Sequence, residues 1–242
     1  MKAASSTLSS GDYVAAINAG AALSNDHNIV VSDTSWPGYE AIPNHVIDGY
    51  LTIFEKVAKQ FRQLGIIRPD TVVIPAGVGA LTAAAARWYR DPSTGIGPPT
   101  ELVTVEPTTA ACVLESMRAT TIATTPGPHT SNMVGLNCGT LSPLAWSDIA
   151  PSVRWATAID DAQAEAAMRT LADNNLVAGE SGAASAGLLH GLLKSPIEGD
   201  PDEINALVGR LQNGVTLLLV TEGATDPDQY QRIVGDRRAA AG

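Results

Sequence analysis

Four short runs of β-branched and leucine-rich residues constrain this chain more than anything else in it. They are 28–32 (Asn-Ile-Val-Val-Ser), 71–75 (Thr-Val-Val-Ile-Pro), 102–106 (Leu-Val-Thr-Val-Glu) and 216–220 (Thr-Leu-Leu-Leu-Val). Each is nearly continuously apolar instead of alternating, the pattern of a strand buried on both faces of a parallel sheet. Helical patterns fill the gaps. Val46, Tyr50, Ile53, Phe54, Val57 and Phe61 recur at three- and four-residue steps, which predicts a long amphipathic helix over 42–64. Further helices are expected over 12–23, 80–89, 109–117, 161–171, 185–193, 202–211 and 227–233. Strands alternating with helices mean an α/β fold, a mostly parallel sheet with helices on both faces. A helix comes before the first strand and a very long one after it, so the order looks as if it begins partway through a domain.

Composition closes several functional classes. Fifteen Lys+Arg against twenty-five Asp+Glu give a formal charge of −10, the wrong sign for a nucleic-acid backbone. No apolar run approaches the roughly 20 residues of a membrane helix. The opening MKAASSTLSSGDY lacks the apolar region of a secretory signal. Cys112 and Cys138 are the only cysteines, too few for a disulfide scaffold, and His27, His45, His129 and His190 show no ligand spacing. The expectation is a reduced, cytoplasmic, metal-free protein.

Several stretches could carry chemistry. Ala76-Gly77-Val78-Gly79-Ala80 follows the 71–75 run and opens a helix. Glycines let the backbone approach an anion, and a helix N-terminus offers unpaired N–H groups. The loop lacks the third glycine of a dinucleotide fingerprint and the lysine of a P-loop. By itself it reads equally as a phosphate cradle or as a tight turn that binds nothing. Asp33 directly follows the 28–32 run, at a carboxyl strand end where open α/β sheets place ligands. It is a general acid or base, or a turn-capping aspartate, and the residues alone favour the cap. Gly179-Glu180-Ser181-Gly182 and Thr221-Glu222-Gly223 put polar side chains at the same expected edge, so these loops together suggest one crevice. Cys138 reads as a small packing residue, since no partner for a nucleophile can be named.

Taken together, Asp33-Thr34-Ser35-Trp36-x-Gly38-Tyr39-x-x-Ile42-Pro43, Ala76 to Ala80, Val105-Glu106-Pro107, Gly135-Leu136-Asn137-Cys138-Gly139, Gly179 to Ala183 and Thr221-Glu222-Gly223 resemble the diaminopropionate ammonia-lyase family. These are pyridoxal-phosphate enzymes of the tryptophan-synthase-β-like group, fold type II. The resemblance runs from about Asp12 to Val234. It implies α,β-elimination from 2,3-diaminopropionate, giving pyruvate and ammonia, in a homodimer acting on a small amino-acid substrate. It implies that Ala76, Gly77, Val78, Gly79 and Ala80 hold the phosphate of pyridoxal 5′-phosphate. Asp33 becomes the acid–base aspartate, and Thr221 sits near the pyridine nitrogen. Glu180 and Ser181 are assigned only to the crevice wall.

The departures from the family are as informative. Its members are longer at the N-terminus, and the extra part carries the lysine that attaches the cofactor, a second catalytic aspartate and a glycine/asparagine loop. Residues 1–64 are then expected to be a remnant of the small domain with the connecting long helix, and 65–242 most of the large domain. Lys2, Lys56, Lys59 and Lys194 are the only lysines, and none falls in a matching segment. Ala224 stands where the family tends to have an acid. The chain is expected to be inactive alone, with cofactor binding weakened or lost, and to dimerise or be poorly soluble. Two alternatives stand beside this one: a non-catalytic paralogue or partner-binding protein that keeps a phosphate pocket, and a serine/threonine dehydratase-like lyase.

Overall fold

Val72, Val73 and Ile74 explain the centre of the molecule: an unbroken apolar run has two faces to bury, and here it has a parallel neighbour on each side. In the computed structural model, which describes residues 11, 13–25, 27–94, 99–194 and 200–235, all five residues of β1 (Thr71–Pro75) are buried. β1 pairs in parallel with β2 (Glu101–Pro107) and β4 (Thr216–Leu218), and β3 (Val153–Ile159) pairs in parallel with β2. The order is β3-β2-β1-β4.

Alternate residues of β1 feed two cores. On one face Val72, Ile74 and Leu102 pack against Ile47 and Phe54 of α2 (Ala41–Gln63), Ala83 to Ala86 of α3 (Ala80–Arg90), Val113 of α4 (Cys112–Ala119) and Ile149 of α5 (Pro143–Ile149). The run of alanines lets α3 lie close to the sheet, and Phe54 meets Tyr89 edge-on, with ring centroids 5.7 Å apart. On the other face Val73, Val103 and Val105 pack against α6 (Asp161–Asp173), α7 (Glu180–Lys194) and α8 (Pro201–Asn213). α1 (Tyr13–Ala22) lies ahead of the sheet in sequence, and α9 (Pro227–Val234) packs on α6 through Ile233 and Val234. Helix ends follow local chemistry. Asp160 and Gln163 form a reciprocal capping box on α6, and Asp226 followed by Pro227 opens α9.

The helices over 12–23, 42–64, 80–89, 161–171, 202–211 and 227–233 appear within a few residues of expectation; Asp12 lies outside the described residues. Two helices shift: Thr108–Ala110 is a 3-10 turn ahead of α4, and α7 starts at Glu180, five residues early. One strand does not form. Residues 28–32 join no ladder of the sheet, and Ile29 and Val31 stand 83% and 76% exposed. Tyr39 takes the place of a neighbouring strand. Its hydroxyl accepts from the Ser32 N–H and donates to the Val30 carbonyl, both at 2.9 Å. The fourth strand is β3, whose exposed Arg154 and half-buried centre mark an edge rather than a centre. No helix among the described residues is long and apolar enough to cross a membrane.

Candidate functional site

The chain leaves β1 at its carboxyl end into the loop Ala76 to Gly79, buried except at the half-buried Gly77, and Gly79 starts α3. Gly79 has φ of +96°, a left-handed conformation that glycine adopts without a steric cost. The loop is tethered at several points. The Ala76 N–H donates to the Val105 carbonyl of β2 at 2.9 Å, the Ser142 N–H to the Val78 carbonyl at 3.0 Å, and the Ala83 N–H to the Gly79 carbonyl at 2.8 Å. The Cys112 thiol donates to the Gly77 carbonyl at 3.6 Å. The N–H groups of Gly77, Gly79 and Ala80 find no backbone partner among the described residues.

Asp33 belongs to the same neighbourhood, although no strand carries it there. Ser35, two residues on, is buried. Its N–H donates to Ser142 Oγ at 3.0 Å and its hydroxyl accepts from the Leu144 N–H at 2.9 Å. Ser142 in turn holds Val78, so the Asp33 segment and the glycine loop are fixed to one another through two serines. The Tyr13 hydroxyl of α1 donates to Asp33 Oδ1 at 2.7 Å and lies 3.2 Å from Thr34 Oγ1. Burial and the neighbouring carboxylate hold the Tyr13 phenol protonated well above the ordinary tyrosine range.

Cys138 sits between the two. A Cβ built on Gly77 would lie 3.1 Å from its Sγ, and the thiol is pushed up to about 12, first by burial and then by the charge of Asp33. A thiol so disfavoured as thiolate is a packing group, not a nucleophile. Cys112 is buried too, and burial followed by the charge of Glu106 raises its thiol.

Three segments meet beside them: the 3-10 turn Val134–Leu136, the start of α7 and the residues after β4. The Gly135 N–H donates to Ser181 Oγ at 3.1 Å, and the Gly179 N–H to the Glu222 carbonyl at 3.1 Å. A Cβ on Gly182 would collide with that carbonyl, so only glycine fits. Burial first, then Glu222, Asp226 and Glu165, raises the Glu180 carboxyl. Thr221, three residues beyond β4, is exposed at the same edge of the sheet. Sequence reasoning gave no role to Tyr13, Ser35 or Ser142; their partners lie 20 to 109 residues away, with no local signal.

Chemically, the loop presents a row of N–H donors and the positive end of α3 to whatever enters, which suits a phosphate. An acid that keeps one oxygen clear of Tyr13 stands close by. The arrangement fits the phosphate of a pyridoxal cofactor.

Comparison with known proteins gives the same chemistry. The diaminopropionate ammonia-lyase of Escherichia coli K12 is 31% identical over 218 residues, and that of Salmonella typhimurium LT2 is 30% identical over 223. The alignments cover 87% and 88% of this chain and 53% of each relative, so the chain spans about half the length of the curated relatives it matches. The crystal structure of the Escherichia coli enzyme, in complex with an aminoacrylate–pyridoxal-phosphate azomethine intermediate, superposes with a TM-score of 0.70 at 28% identity. It covers 88% of this chain and 54% of that one. Serine racemase from maize, at 20% identity and a TM-score of 0.58 over 77% of this chain and 50% of that one, shares the fold. This is the tryptophan-synthase-β-like, fold type II architecture expected from the sequence. The family model described as pyridoxal-phosphate dependent enzyme matches residues 3–207, glycine loop included, and the chain belongs to that family.

Proposed function

We propose that this chain forms the phosphate-holding half of a site for α,β-elimination from 2,3-diaminopropionate, yielding pyruvate and ammonia. The observation that carries it is the buried glycine loop with spare donors, tied through Ser142 and Ser35 to Asp33. The similarity to two enzymes named diaminopropionate ammonia-lyase supplies the substrate. When bound, the cofactor supplies an electron sink for the substrate's α-carbon.

The chain's own residues then bind, orient and move protons. Gly77, Gly79 and Ala80 hold the phosphate through their N–H groups, with Ala76 and Val78 fixing the loop's path. Asp33 holds a proton for the substrate on the oxygen that Tyr13 leaves clear, and Tyr13 keeps the carboxylate oriented. Thr221 would lie near the pyridine nitrogen, and Glu180 and Ser181 would line the wall. We assign residues 1–64 to a remnant of the small domain with its connecting helix and 65–242 to most of the large domain, in a cytoplasmic homodimer.

Lys56 and Lys59 lie exposed on α2, and Lys59 pairs with Glu55 at 2.7 Å. Lys194 closes α7, and Lys2 lies outside the described residues. The positions of Lys56 and Lys59 favour a second reading, a protein that binds the cofactor without turnover. Borohydride reduction after incubation with pyridoxal phosphate, read by intact mass, tests both. We expect no single stoichiometric adduct on the 242-residue chain. One full adduct on one lysine, with pyruvate formed from 2,3-diaminopropionate, overturns the expected inactivity and discards the second reading.

A further inference from the structure

Glu106 is the one carboxyl fully buried among the described residues, at 0% exposure, and nothing in the proposed chemistry uses it. Burying a carboxyl is costly unless it is well bonded. Its two oxygens accept from the N–H groups of Val113 at 2.7 Å and Leu114 at 2.9 Å, in the first turn of α4. That helix has Ala111 at its N-cap and no cap from its own side chains, so β2 supplies the cap instead. The same turn begins with Cys112, whose thiol holds the Gly77 carbonyl, while the Cys138 sulfur packs 3.1 Å from where a Cβ on Gly77 would sit. The residue before Glu106, Val105, holds the Ala76 N–H. One residue thus anchors a helix start that grips the glycine loop, from a strand that grips it as well.

We propose that Glu106 is a positioning residue for the phosphate site: its carboxyl fixes the first turn of α4, and through Cys112 fixes Gly77, so that the loop's N–H groups stay aimed at a phosphate. This rests on the phosphate reading of the loop given above. Gln in place of Glu keeps the size and one acceptor but turns an NH2 group toward one of the two N–H donors, leaving it unpaired. The turn then relaxes, and the loop with it.

The test uses the full chain with pyridoxine 5′-phosphate and pyridoxine, which differ in the phosphate and carry no aldehyde to react with lysines. Dissociation constants for both are measured by calorimetry on wild type, E106Q and C112A, alongside urea midpoints. The expected result is a loss of at least tenfold in the preference of E106Q for the phosphorylated form, and a smaller loss in the same direction for C112A. Affinity for pyridoxine stays as in wild type. A helix cap without a positioning role lowers the urea midpoint and leaves the preference intact, and that result overturns the proposal. Should E106Q fail to fold, C112A with a wild-type preference overturns it equally. A wild-type chain with no preference for the phosphate overturns the phosphate reading itself, and the wild-type ratio separates that failure from failure of Glu106 alone.

Discussion

Gly79 is where the fold and the site place the strictest demand on a single residue, and replacing it with alanine separates two costs. The backbone there has φ of +96°, and an L-residue forced left-handed costs about 1–2 kcal/mol. A Cβ would also lie 2.7 Å from Ile149 Cδ1, 3.0 Å from Leu141 Cδ2 and 3.2 Å from Ala145 Cβ, all in a close-packed core. Overpacking of that kind costs about 1–3 kcal/mol, so G79A should lose about 2–5 kcal/mol. Gly65 is the control. It ends α2 with φ of +72° and nothing lies within 4 Å of its Cβ position, so G65A carries the backbone cost of about 1–2 kcal/mol alone. For a domain of this length these losses lower Tm by roughly 4–20 °C and 2–8 °C respectively. Urea and thermal denaturation of the two variants measure the difference. If G79A is no less stable than G65A, the start of α3 does not pack on α5 as described, and the reasoning about the loop's rigidity fails with it.

Three further outcomes are expected. S35A removes the acceptor for the Leu144 N–H and the partner of Ser142 Oγ, so it should cost about 1–3 kcal/mol in urea melts and quicken proteolysis within 29–39. Burial raises the phenols of Tyr13 and Tyr89, and Y13F and Y89F should leave the phenolate absorbance that develops below about pH 11 unchanged. Burial pushes Glu106 up to about 8, against the N–H groups of Val113 and Leu114, which lower it. A folded pKa above the unfolded one means the native state holds that proton more tightly, so the contribution is complete below about pH 4 and fades as pH rises through 8. E106Q should flatten that part of the stability profile; a wild-type slope retained in E106Q would assign it to other groups.

How much of this was legible in the sequence depends on where each element's partners lie. β1 and β2 declare themselves because a central parallel strand must be apolar on both sides, and Val72, Val73, Leu102 and Val103 are. β3 hides, because an edge strand has fewer surfaces to bury. Arg154 and Trp155 interrupt it, and both turn out to bond Glu203 of α8. The run at 28–32 misleads for the converse reason. It has the composition of a buried strand, but a tyrosine hydroxyl holds its Ser32 N–H and Val30 carbonyl and Asn25 pairs with Asn28, in place of a sheet ladder. α5 is seven residues long, too short for periodicity to show, although Ser142 followed by Pro143 is a start signal that could have been read.

The glycine loop was legible for a different reason: its chemistry belongs to the backbone, and glycine spacing records what a backbone must do. What sequence could not give is the sorting of its polar groups. The carbonyls of Gly77, Val78 and Gly79 each accept a bond, from Cys112, Ser142 and Ala83, which stand 35, 64 and 4 residues away. The Val78 N–H faces the Cys138 sulfur and lowers the pKa of that thiol. Among the described residues, the N–H groups of Gly77, Gly79 and Ala80 are the ones left over. With acceptors consumed and donors spare, at the positive end of α3, the loop repels a cation and favours an anion. That preference operates inside a chain whose formal charge is −10 and whose long-range field opposes anions. Recognition must therefore come from contacts within hydrogen-bond range, which makes it sensitive to any residue that moves the loop by a fraction of an ångström. Glu106, Ser35 and Ser142 matter on that account: none bonds the spare N–H groups of the loop, yet each is hydrogen-bonded into the frame around it.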